Sequence, residues 1–243
     1  MKWFLDLFSS SLGRKVLMAL TGIFLILFLA VHLAGNLQLL KDDAGKSFNI
    51  YADFMGHNPL IQLVSKGNFA FILLHAIWGI MLTIKNRKAR GPQGYANPNK
   101  SSVWASRNMG ILGTLILIFL VIHLKDFYAQ AHFGSLSTQV YEGKEVTDLY
   151  TQVAYWFNVE WYVSLYVICM AALGFHLWHG FASAFQTLGL NHMKYNPVIN
   201  FVGKTFAVVV PIAFAIIPIF MYLGISFSHV LRYFVLISVS KNY

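Results

Sequence analysis

Charge is scarce in this sequence. Asp, Glu, Lys and Arg make up 11% of its 243 residues, where a water-soluble domain carries about 25%. Acids are the scarcer sign, nine against 18 bases, and the apolar runs are nearly free of them. Cysteine is almost absent. The single Cys169 lies in an apolar stretch, which excludes an internal disulfide and a thiolate-rich metal site. Period-two alternation is missing as well, and with it the signature of a membrane barrel.

What is present is apolar: 57% of the chain. Five segments approach the ~20 residues needed to cross ~30 Å of hydrocarbon. They are I, 16–40; II, 63–84; III, 108–127; IV, 160–186; and V, 201–225. Backbone in lipid must satisfy its own hydrogen bonds, so each is a helix. The expected fold is all-α, a five-transmembrane-helix bundle forming one integral membrane domain over residues 1–243. Pro211 and Pro218 should bend segment V without ending it. The run Phe227–Val239, interrupted by His229 and Arg232, is short for a span and reads as an interfacial extension. The first apolar run is too long for a signal-peptide core, so it is kept as a span.

Orientation follows from the bases. The II–III loop holds Lys85, Arg87, Lys88, Arg90, Lys100 and Arg107 with no acid; Arg14 and Lys15 open segment I; Lys194 and Lys204 lie between IV and V. The other side carries Asp42, Asp43, Asp53, Asp126, Glu142, Glu145, Asp148 and Glu160. The basic side is expected in the cytoplasm, with the N-terminus inside, as in a bacterial inner membrane. The net charge of +9 then faces anionic lipid and an acidic protein partner, not nucleic acid.

Four spans each carry a histidine: His32, His75, His123 and His176. One such residue is readily explained by a hydrogen bond to a neighbouring helix. One on each of four helices points to function. Their depths group them. His32 lies 17 residues beyond Lys15 and His123 lies 16 beyond Arg107, roughly 24–25 Å along a helix rising ~1.5 Å per residue. His75 precedes Lys85 by 10 residues and His176 precedes Gln186 by 10, roughly 15 Å. The expectation is two layers of two imidazoles.

Facing imidazoles at one depth are what a six-coordinate haem requires, and bundles build cofactor sites from facing helices. Two such layers predict two b-type haems enclosed by the helices, with His75/His176 on the cytoplasm-proximal one and His32/His123 on the distal one. No C-x-x-C-H occurs, so neither is attached by thioethers. Small residues beside the ligands (Ala34, Gly35, Ala76, Gly79, Gly174, Gly180) make room for flat rings or simply for close helix packing. His179 competes with His176 as ligand or takes a propionate or quinone. Arg14, Lys15, Arg107 and Lys194 are placed to meet propionates or dock a partner, with Trp104 and Ser11 as weaker propionate contacts. Plain positive-inside topology explains the bases equally. A proton or metal transporter would need acids among the histidines, and a di-iron enzyme would need local histidine boxes. Neither pattern is present beyond His176 and His179.

The runs Phe28–Asn36, Leu74–Gly79, Ile122–Leu124 and Gly174–Gly180, followed by Ala184–Gln186, resemble the haem-binding helices of the single-subunit, di-haem cytochrome b anchor of succinate dehydrogenases and fumarate reductases. Ser47–Asn49 through Phe54–Met55 resembles that family's first outer loop. The resemblance covers the first four spans. It implies a five-helix anchor bound to a flavoprotein subunit and an iron–sulfur subunit, passing electrons between the latter and a quinone, menaquinone in such bacteria. The dicarboxylate chemistry would belong to the flavoprotein. It also implies the same haem pairing, and an acidic residue near an outer quinone site, for which Asp53 with His57 behind it is the nearest match. One departure matters: span IV lacks the glutamate that some members place just before the fourth ligand. Cytochrome b anchors of other quinone-linked oxidoreductases share the chemistry and differ only in partner.

Overall fold

A computed structural model describes residues 10–91 and 104–226. The expected extension Phe227–Val239 lies outside them. The described chain is helical apart from one hairpin, and five helices are long and apolar enough to cross a membrane. They are α1 (Ser11–Asn36), α3 (Pro59–Arg90), α5 (Met109–His123, prolonged to Phe133), α8 (Glu160–Thr187) and α9 (Asn196–Tyr222). The chain is therefore a multi-pass membrane protein. Helix α9 continues through Pro211 and Pro218. Its own start uses the asymmetry expected of proline, with Pro197 in the first turn where no intrahelical N–H is needed.

Each span helix is longer than expected, α3 at both ends, because polar ends that no longer read as membrane still hold helical hydrogen bonds. Helices α1 and α9 nonetheless stop at Asn36 and Tyr222, short of the expected 40 and 225. The sequence reading missed more in the loops. Lys46–His57 forms α2, and Leu149–Phe157 forms α7. Between the prolonged third span and α7 lies an antiparallel hairpin of β1 (Thr138–Tyr141) and β2 (Lys144–Thr147), pairing Tyr141 with Lys144. Its two-residue turn, Glu142-Gly143, has positive φ at both positions (54° and 81°), the twist-matched hairpin geometry that glycine favours. The third span also departs from regularity. After α5 the chain widens into a π-helical turn, Leu124–Tyr128, before α6 (Ala129–Phe133).

The described residues divide into two compact units, residues 10–30, 63–91, 104–118 and 171–211 in one, and 31–62, 119–170 and 212–226 in the other. In the second, Leu39, Phe48, Phe127, Val153, Phe157, Tyr162, Tyr166 and Ile217 form a buried aromatic-rich core. In the first, Ala105, Leu112 and Ala172 make a smaller close contact.

A polar network ties the second unit's loops together. Asn49 of α2 is fully buried. Its Nδ2 donates to Asp148 Oδ1 at 2.9 Å and to Tyr141 Oη at 3.3 Å, and its Oδ1 accepts from the Tyr150 backbone N–H at 2.8 Å. Asp148 caps α7, accepting from the Thr151 backbone and hydroxyl and from Gln139. A cap carboxylate of this kind takes up N–H groups that the helix cannot satisfy itself. Burial pushes the Asp148 carboxyl up, but the hydrogen bonds from Thr151, Asn49 and Gln139 together outweigh it and hold the pKa below its usual value. A depressed folded-state pKa stabilises the fold above the unfolded value of about 4 and ceases to do so as pH falls through the folded one. Amide exchange across α7 should therefore accelerate on acidification below about pH 4, and Asp148→Asn should flatten that dependence.

Candidate functional site

Each unit contains two of the four span histidines. In the first, His75 of α3 and His176 of α8 bring their ring centres within 6.3 Å at an interplanar angle of 65°. In the second, His32 of α1 and His123 of α5 stand 5.8 Å apart at 87°. Imidazoles sharing one metal along a straight axis have two nitrogen–metal bonds of about 2 Å each, which places the ring centres roughly 6 Å apart. Both pairs meet that spacing. His176 adds a second indication: its Nδ1 is buried without a hydrogen-bonding partner. Buried polar atoms are rarely left so, and a group bound at the ring gives the imidazole a reason to be there. Among the described residues no three His, Cys, Asp or Glu side chains gather to hold an ion. Two opposed nitrogens suit a metal whose other positions are filled by a flat macrocycle, and the donor set fits haem.

Hydrogen bonds set the tautomers. Thr21, buried on α1, gives its hydroxyl proton back to the carbonyls of Leu17 and Met18 at 2.8 and 3.1 Å. Its oxygen is then the acceptor for His75 Nδ1–H at 3.1 Å, which leaves Nε2 with its lone pair for a metal. His123 Nδ1 lies 2.9 Å from Tyr166 Oη, and its ring stacks on Phe119 at 5.7 Å. Phe214 lies 5.8 Å from the His32 ring. Small residues border the first pair. A Cβ at Gly22 would come 3.4 Å from His75 Cε1, and one at Gly113 would come 3.9 Å from His176 Cε1. Neither glycine was singled out in the sequence, because each faces a ring on a different helix. Gly35, one turn after His32, instead makes room for Tyr51: a Cβ there would come 2.4 Å from its ring. Gly174 packs against Ala207 and Pro211, which is ordinary helix contact.

The remaining expected site residues are spread out. His179 follows His176 by one turn, and the histidine beside the His75 ring is His176. Arg14 is half-buried near the start of α1, where Ser11 accepts from Lys85 Nζ. Trp104 and Arg107 form the short helix α4; both are exposed, and Trp104 meets Phe175 edge-on at 5.5 Å. Lys194 is exposed in the loop before α9, its backbone N–H donating to His192 Nδ1. Asp53 and His57 do come together. His57 Nδ1 lies 3.1 Å from Asp53 Oδ1, and Lys144 Nζ pairs with Oδ2. They line a pocket of about 550 Å³ with Ile50, Phe54, Tyr141 and Val146, a mixed apolar and polar lining of the size usual for small-molecule sites.

Sequence reasoning missed Thr21, Tyr166 and the buried Asn68. Asn68 lies two turns before His75 with its Oδ1 unpartnered. The seven-residue spacing puts both on one helix face, and a buried asparagine inside a span was a signal open to reading. Comparison with known families, curated proteins and solved structures found no match.

Proposed function

We propose that this chain is the cytochrome b membrane anchor of a succinate dehydrogenase or fumarate reductase, carrying electrons between an iron–sulfur subunit and a membrane quinone. The observation that carries the reading is the meeting of four span histidines as two ring pairs, 6.3 and 5.8 Å apart. His75 with His176 would hold a cytoplasm-proximal haem and His32 with His123 a distal one, and each haem would supply a one-electron carrier. Thr21 and Tyr166 fix the tautomer and orientation of their partner rings, as outer hydrogen bonds do at metal sites. The chain itself performs no dicarboxylate chemistry; that belongs to a flavoprotein partner.

The bases Arg14, Lys15, Arg107 and Lys194 lie on the cytoplasmic side of a bacterial inner membrane, where they attract propionates and an acidic face of the iron–sulfur subunit. Quinone, menaquinone by the family resemblance, binds the pocket beside Asp53. There His57 would donate to a quinone carbonyl and the Asp53 carboxylate would accept from a quinol hydroxyl, while Ile50, Phe54 and Val146 hold the ring. The test is direct. The chain is purified with its bound subunits, and haem is quantified by the pyridine haemochrome with reduced-minus-oxidised spectra. Close to two b haems per chain, with flavin and iron–sulfur signals in the co-purifying subunits, is the expected result. A haem-free chain removes the reading, and haem with different co-purifying subunits moves it to another quinone-linked enzyme.

A further inference from the structure

Asp126 is the one acid the third span carries toward its interior, at 4% exposure, at the end the sequence assigns to the outer side. Its Oδ2 accepts from the hydroxyl of the fully buried Tyr162 at 3.1 Å. The rings of Tyr162 and Tyr166 stand 5.0 Å apart. Tyr166 Oη in turn lies 2.9 Å from His123 Nδ1. Lys125 Nζ, 3.3 Å from Asp126 Oδ1, and the amide of Gln152 on the Asp126 carbonyl complete the surroundings of the acid.

A carboxylate can only accept, so Tyr162 donates to Asp126. On the haem reading His123 Nε2 is committed to the metal, so its Nδ1 carries the proton and donates to Tyr166 Oη. Behind that acceptor lie the Tyr162 ring and the buried Asp126 side chain. Among the described residues the other pair has no such acid behind it: the His75 ring leans on a neutral threonine.

We propose that Tyr166, backed by Tyr162 and Asp126, is a positioning residue that sets the electron affinity of the centre held by His123. This rests on the haem reading above. An oxygen acceptor at Nδ1–H, with a carboxylate in the same buried cluster, makes the ring a stronger donor to its metal, which favours the oxidised state. Removing the acceptor therefore raises the midpoint potential of that centre alone.

The test is a spectroscopic redox titration of the purified complex, with low-spin electron paramagnetic resonance of each haem. Tyr166→Phe keeps the ring and deletes the oxygen. It should shift one of the two haem potentials upward by a tenfold change in the reduced-to-oxidised ratio, about 59 mV for one electron, and leave the other in place. Asp126→Asn, close to isosteric, should shift the same centre in the same direction by less, and it serves where Tyr166→Phe does not accumulate. Unchanged potentials in either variant, or equal shifts of both haems, overturn the proposal. A wild-type complex without haem fails before any variant is made, and that outcome removes the cytochrome reading itself rather than the role of the tyrosines.

Discussion

Replacing His176 with alanine should leave the purified complex with one b haem in place of two, and replacing His75 should remove the same one. The rings stand 6.3 Å apart, so on the proposed reading both would hold the same iron. The double variant should look like either single. His32→Ala and His123→Ala should together define the second haem in the same way. The measurement is haem per chain by the pyridine haemochrome, with the surviving centre identified by its spectrum. Two variants of one pair that deplete different haems would show that the rings meet for another reason, such as a hydrogen bond through water. The non-additivity is the informative part, because residues acting as one unit lose nearly everything at the first substitution.

The second large effect lies away from the histidines. Asn49→Leu should destabilise the protein by about 2–4 kcal/mol, from leaving the Tyr150 N–H unsatisfied at about 1–3 kcal/mol and taking one of several hydrogen bonds from Asp148 at about 1 kcal/mol. Each of these two partners loses a bond near 2.9 Å. The loss should appear as a lower unfolding midpoint in detergent and as protease cleavage within residues 134–148. The Asp53 pocket shares α2 and the hairpin with this network, so quinone reduction should fall while haem content stays at its wild-type value. Wild-type stability in this variant would mean that the loops are held by their aromatic contacts alone.

The five spans were legible because lipid imposes a length and a hydropathy that no other residue choice can satisfy. The histidine grouping was legible for a related reason: helical rise turns residue counts into depth, and depth counted from charged ends groups the two pairs whose rings lie together. The partners of those rings were not legible. Thr21 reaches His75 across 54 positions of sequence and Tyr166 reaches His123 across 43, and neither separation carries a periodic signal. Asp126 was read at the end of span III among the acids of the outer side, and nothing local shows that Tyr162 receives it. The hairpin was missed too, although Glu142-Gly143 between short alternating runs is a recognisable turn. Its strands are only four residues each.

The π-helical turn at Leu124–Tyr128 bears on how this helix is compared with others. A ring closed from i to i+5 takes in one residue more than the α-helical ring. Past His123 the chain is thus a residue out of phase with a regular helix. Any alignment that runs straight through this span without a gap will match Asp126 and Phe127 to positions on the wrong side of its counterpart.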